Sequence, residues 1–65
     1  MKIHMYYHNK WRAVRKEGGK RASAVFKSRV LAIIYGYELM KKANAIYYIH
    51  FKNGLVEEKL EWHHT

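Results

Sequence analysis

Residues 28–54, SRVLAIIYGYELMKKANAIYYIHFKNG, decide the fold, because the hydrophobic period changes partway along them. Ser28 opens the stretch with a side-chain oxygen able to accept from a free amide one turn on, which marks a helix start. From Arg29 to Ala43 the apolar positions recur at helical spacing. A wheel places Ala32, Ile33, Tyr35, Gly36, Leu39, Met40 and Ala43 on one face, the expected core face. The small residues Ala32 and Gly36 on it let a helix lie close against a sheet. The opposite face carries Val30, Leu31, Ile34 and Tyr37 beside Glu38, Lys41 and Lys42. An isolated surface helix has little reason to carry four such apolar residues. Residues 45–51, AIYYIHF, are β-branched and aromatic and read as a strand. Asn53-Gly54 is the strongest turn signal in the chain and predicts a type I′ hairpin, whose two central positions need positive φ. Leu55 to Trp62 is then the returning strand.

Working outward to the N-terminal side, residues 2–8 (KIHMYYH) alternate, with Ile3, Met5 and Tyr7 against His4, Tyr6 and His8. Asn9-Lys10 is a short turn and residues 11–16 (WRAVRK) a second strand. Its alternation is broken: Trp11 and Ala13 share a side while Val14 lies opposite. One extra residue in a bulge would bring Trp11 and Val14 together. Glu17-Gly18-Gly19-Lys20-Arg21 is a charged, flexible loop. Ala24, Val25 and Phe26 lead back toward the core. The expected order is β-β-α-β-β, an α+β fold with an antiparallel sheet and one helix across one face. Residues 1–65 form a single domain with no internal boundary or repeat.

A chain of 65 residues buries only about 60% of its unfolded surface and is marginal without added support. With no cysteine, that support is a good core or a second copy, and a homodimer is expected. Apolar residues make up 49% and aromatics 15%, which excludes disorder by composition. The net charge is +8. Residues 1–52 carry twelve bases against two acids, a net of plus ten, and residues 53–65 one base against three, a net of minus two. Such a body attracts polyanions. The N-terminus lacks the apolar core of a signal peptide. The longest apolar run, Val30 to Met40, is too short for a membrane span. A cytoplasmic protein is the simplest expectation.

The residues Glu17-Gly18, Lys20-Arg21-Ala22-Ser23, Val25-Phe26, Ser28, Ala32-Ile33, Tyr35 and Glu38-Leu39 resemble a small bacterial and phage family, domain of unknown function 2188. So do Ala45, Ile49-His50, Lys52-Asn53-Gly54, Val56 and Glu58-Lys59, and the likeness covers most of residues 11–59. The resemblance implies the same β-β-α-β-β order and brings no established activity and no catalytic residues. The chain departs from it in two respects. Trp11 sits one residue further from Glu17-Gly18, as a bulge would require. Leu31, Ile34 and Tyr37 are apolar where the family's helix is charged.

Catalysis fails on inventory. The chain has no Cys, Asp or Gln, and only Ser23, Ser28 and Thr65 carry aliphatic hydroxyls, so a nucleophile with base and orienting group cannot be assembled. No catalytic residue, cofactor or small-molecule substrate is expected. His4 and His8 share a strand face about 13 Å apart, at roughly 3.3 Å per residue, too far for one metal ion. His50 reads as a half-buried residue with a backbone partner, and His63 and His64 as a surface pair at the terminus. No metal site is expected.

The basic residues are the stronger lead. Arg12, Arg15, Lys16, Lys20 and Arg21 lie on the second strand and the loop, and Lys27 and Arg29 flank the helix start. Bases there oppose the helix dipole at about 0.3–1 kcal/mol each unless an anion sits nearby. The functional reading is a footprint on the phosphate backbone of duplex nucleic acid; the plain alternative is a solubilising surface. Tyr6, Trp11, Tyr47 and Tyr48 read as core or interface residues before base-stacking platforms. The second function class is self-association or protein docking through Val30, Leu31, Ile34 and Tyr37, with cover from Trp62 to Thr65 as its plain alternative. Membrane attachment ranks last, because the helix's polar face holds few bases.

Overall fold

In the computed structural model, which describes residues 1–62, the chain forms β1 (Lys2–His8), β2 (Trp11–Lys16), β3 (Ala24–Phe26), α1 (Arg29–Ala43), β4 (Ile46–His50) and β5 (Val56–Glu61). The five strands make one sheet in the order β3-β2-β1-β4-β5, with α1 packed across one face. The α+β reading holds, and β1, β2 and α1 take the bounds expected from their periodicity.

The sheet is mixed, where an all-antiparallel one was expected: β1 and β4 pair in parallel, Ile3 beside Tyr47 and Met5 beside Ile49. The cause is β3. The segment read as a mere return pairs with β2 through Ala13 and Val25, which reverses the chain once more before the helix. A strand, a helix running back and a second strand then end with β4 pointing the same way as β1.

Two local expectations are also corrected. The β1–β2 ladder is unbroken from Ile3 opposite Lys16 to His8 opposite Trp11, so β2 has no bulge. Its alternation fails because both faces of the sheet bury a residue. Val14 meets Met5 beneath the helix, while Ala13 lies between Tyr6 and Val25 on the other face. Trp11 stays exposed on that open face. The bulge lies instead in β5, where Ile49 faces Glu58, His50 faces Val56, and Glu57 is the extra residue. The β4–β5 turn is not type I′ either, since positive φ falls on Gly54 alone (φ 92). Phe51 N–H donates to Leu55 O at 2.7 Å and Gly54 N–H to Phe51 O at 2.9 Å, closing a three-residue loop. The Asn53 side-chain oxygen accepts from Leu55 N–H at 3.0 Å and holds Asn53 out of the left-handed region.

Helix α1 begins as expected: Ser28 Oγ accepts from Leu31 N–H at 3.3 Å. It ends at Asn44, left-handed at φ 51, with Ala45 N–H donating to Met40 O. Ala32, Gly36 and Met40 are buried against Ile3, Met5, Val14, Tyr47 and Ile49, and Ile33, Tyr35, Leu39 and Ala43 pack around them. Tyr47 is the largest fully buried side chain, and its ring crosses the helix at Gly36. Its hydroxyl donates to Ala32 O at 3.0 Å, so the one polar atom in this core is satisfied. Among the described residues, no helix is long and apolar enough to cross a membrane.

Candidate nucleic-acid interface

Tyr7 is the last helix-side residue of β1, beyond the reach of the buried core, and three cations converge on it. Arg12 is its partner across the β1–β2 ladder and places its guanidinium 5.0 Å from the ring centre. Lys52, from the turn after β4, brings its ammonium to 5.8 Å of the same ring. Arg29, the first residue of α1, donates from Nη1 to the Tyr7 hydroxyl at 3.2 Å. Because β2 and β4 flank β1 on opposite sides, these cations come from three directions. The hydrogen bond from Arg29 is the main reason the Tyr7 phenol is held below its ordinary range, with Arg12 adding to it.

One carboxylate enters this group. Glu57 Oε2 accepts from Arg29 Nη2 at 2.6 Å, and this bond, with that to Tyr7, holds the Arg29 guanidinium even more firmly charged. The β5 bulge explains the reach. Glu58 faces Ile49 on the helix side, so strict alternation would send Glu57 to the open face, and the extra residue re-aims it. The first turn of α1 contains no acid, so Glu57 is also the anion that offsets a cation at the helix start. Tyr7, Arg29, Lys52, Asn53 and Glu57 line an open cleft of about 660 Å³.

The seven expected bases fall into two groups at opposite ends of β2. At the Trp11 end, Arg12, Lys27 and Arg29 come together. Arg12 donates from Nη1 to Lys27 O, and the Lys27 ammonium lies 5.3 Å from the Trp11 ring centre. At the other end lie Arg15, Lys16 and the loop residues Lys20 and Arg21, all exposed. Arg15 stands on the open face over Tyr6 at 5.2 Å, whereas Lys16, opposite Ile3, belongs to the helix side. Arg12 to Lys16 spans about 13 Å at roughly 3.3 Å per residue. Lys52, Tyr7 and Glu57 were not among the expected site residues; Lys52 reaches Tyr7 through the parallel pairing of β4 with β1, which local patterning does not show.

The outer helix face is as apolar as expected and open, with Val30 63%, Leu31 54%, Ile34 52% and Tyr37 36% exposed. Trp62 covers only its lower end, edge-on to Tyr37 at 6.1 Å, with Lys41 5.3 Å from both rings. The rest of the expected cover, and the pair His63 and His64, lie outside the described residues.

The open face of the sheet carries a feature that spacing alone does not reveal. His4 Nδ1 lies 2.9 Å from His50 Nε2, His4 Nε2 lies 3.3 Å from Glu17 Oε1, and His50 Nδ1 lies 3.0 Å from Gly54 O. His50 thus has its backbone partner. A carbonyl only accepts, which assigns the His50 proton to Nδ1; the two nitrogens of His4 lie between His50 Nε2 and the acceptor-only Glu17 carboxylate, and their roles depend on its protonation. Tyr48 stacks on His4 with centroids 5.3 Å apart, and Lys2 stands 5.9 Å from the Tyr48 ring centre. The Tyr48 ring is thus engaged by His4, and Tyr47 is fully buried. Among the described residues, no group of three or more His, Cys, Asp or Glu side chains could hold a metal ion.

A mixed sheet of two hairpins and a short edge strand under one helix, with basic residues at both ends of a strand, defines a small α+β domain. Residues 3–61 match the family described as an uncharacterized protein conserved in bacteria, DUF2188, and the chain belongs to it. Neither a curated protein nor a solved structure matches.

Proposed function

We propose that this domain is a non-enzymatic cytoplasmic protein that contacts the phosphate backbone of duplex nucleic acid without strong sequence preference. The observation that carries the reading is the meeting of Arg12, Arg29 and Lys52 at Tyr7, with one carboxylate among them. Arg12, Lys27 and Arg29 bind at one end of β2, and Arg15, Lys16, Lys20 and Arg21 at the other. Guanidinium forks and ammonium groups read phosphate charge and not base identity. The test is duplex binding over a salt series. Affinity falls steeply with salt, with a log–log slope of about −0.9 per phosphate contacted. Changing Arg15, Lys20 and Arg21 together to Ala flattens that slope by about two to three units on the same scale. A wild-type protein that retains no duplex at low salt ends this reading.

A second reading, self-association as a homodimer, is favoured by the four exposed apolar residues Val30, Leu31, Ile34 and Tyr37 on one helix face. A symmetry-related copy of the same face is the simplest cover for them. Sedimentation of the wild type as a dimer, moved toward monomer by Ile34→Glu, supports it; a monomeric wild type ends it.

A further inference from the structure

We infer that the cleft beside Tyr7 is a phosphate site in which Glu57 acts as an internal competitor, occupying Arg29 until a phosphate displaces it. That the phosphate comes from a nucleic-acid strand rests on the reading above; the site itself rests on the geometry of the cleft. Four observations bear on it. The cleft is lined by Arg29, Lys52, Tyr7 and Glu57, and Arg12 stands 5.0 Å from the Tyr7 ring centre, so two cations line a space holding one carboxylate and a third lies beside it. Arg12 Nε is buried and has no hydrogen-bond partner among the described residues, a charged donor left unsatisfied beside the site. Lys52 has no carboxylate partner among the described residues. Glu57 reaches Arg29 only through a break in the β5 register, so the contact is an addition to the sheet and not a consequence of it.

A carboxylate and a phosphate present the same pair of oxygens to an arginine fork. A phosphate oxygen therefore takes the place of Glu57 Oε2 on Arg29 Nη2. The Tyr7 hydroxyl accepts from Arg29 Nη1, which leaves its own proton to donate to a second phosphate oxygen. Lys52 meets the outer oxygens as a mobile point charge. Glu57, whose side chain is 26% exposed, then swings out into solvent. The competitor lowers affinity for every anion, and it keeps Arg29 paired when no ligand is bound.

The experiment compares wild type, Glu57→Gln and Glu38→Gln for binding a labelled duplex of about 20 base pairs by fluorescence anisotropy, the length being a single footprint with flanks. Both substitutions raise the net charge by one, but Glu38 lies on the helix beside Lys41, away from the cleft. Glu57→Gln should bind the duplex about threefold to fivefold more tightly than Glu38→Gln, the worth of one partly exposed charge pair. Equal gains from the two variants overturn the internal competitor even where the wild type binds duplex. In a second arm, inorganic phosphate is titrated while the Arg29 side-chain resonances are followed by NMR. Shifts that saturate at lower phosphate in Glu57→Gln than in wild type support the site. If the wild type retains no duplex while these shifts persist, the nucleic-acid reading falls and the phosphate site stands. An Arg29 signal unmoved by phosphate overturns the site.

Discussion

Both faces of α1 carry apolar side chains, and they differ entirely in what holds them. On the inner face, Ala32, Gly36 and Met40 are buried, and each choice answers to a neighbour. Gly36 is glycine because the Tyr47 ring passes where a side chain would begin, and Ala32 is small because its carbonyl must meet the Tyr47 hydroxyl. On the outer face, Val30, Leu31 and Ile34 are each more than half exposed, and among the described residues none belongs to the buried core. The inner face is specified by the fold, whereas the outer face is surplus to it. Information about a partner is expected in the surplus, since a monomer gains nothing by placing branched aliphatic side chains in water.

The sharpest way to break this contrast is Gly36→Ala. A methyl group at Gly36 would sit 2.1 Å from Tyr47 Cζ and 2.6 Å from Cε1. The ring cannot retreat, being fully buried and anchored through its hydroxyl. Overpacking of this kind costs about 3 kcal/mol, and better helix propensity returns about 1 kcal/mol, so a net loss of about 2 kcal/mol is expected in urea unfolding. Tyr47→Phe in the same chain gives only partial relief, because it removes the hydroxyl oxygen at 2.3 Å but leaves the two ring carbons in conflict. Tyr47→Leu removes those as well. An alanine variant as stable as wild type would show that the inner face is not specified at this position.

The next effect is Tyr47→Phe alone. Losing the hydroxyl bond leaves the Ala32 carbonyl its helical partner, so the cost is about 1 kcal/mol at neutral pH. The pH dependence is the sharper readout. Burial raises the Tyr47 phenol well above its ordinary value of 10.0. The folded chain therefore keeps its proton where the unfolded chain releases it. This group's stabilisation is complete below about pH 10 and drains away as pH rises above it. The phenylalanine variant lacks that alkaline loss, so the stability gap between the two proteins narrows above pH 10. A gap that stays constant from pH 8 to 11 would show that the hydroxyl titrates as if exposed.

How much of this was legible in the sequence follows from how local each signal is. The bounds of β1 and β2 and the Ser28 cap lie in short periodic stretches where each residue's partner is nearby, and they could be read directly. So could Gly36 as the point of close approach. Three residues, Ala24–Phe26, are too few to show a period, so β3 was missed, and with it the direction of β4, because the extra reversal is what makes β1 and β4 parallel. The candidate site fared less well for the same reason. Arg12 and Arg29 were legible as bases near the helix start. Their gathering around Tyr7 with Lys52 requires the strand order, and the arrival of Glu57 requires a bulge that no glycine announces. The His4–His50 contact joins residues 46 apart through β1–β4 pairing alone. Pattern located the elements; only topology could assemble the site.

The smallest expected effect tests the outer face, and its smallness is informative. Ile34 is 52% exposed, so Ile34→Glu should change the stability of an isolated domain by less than about 0.5 kcal/mol. In a dimer closed by this face the same substitution acts differently. Association stabilises the folded state by mass action, so the wild-type unfolding midpoint rises with protein concentration. A buried glutamate on a shared two-fold axis removes that dependence, while the variant's own midpoint stays near that of the dilute wild type. The two measurements separate the cases cleanly. A concentration-dependent wild type with a flat Ile34→Glu variant assigns the surplus apolar surface to a second copy. A flat wild type that Ile34→Glu leaves unchanged shows that the face is free in solution, and directs the search to a different protein. A loss of several kcal/mol at every concentration would mean that the outer face belongs to the fold after all, and the division between the two faces of the helix would be withdrawn.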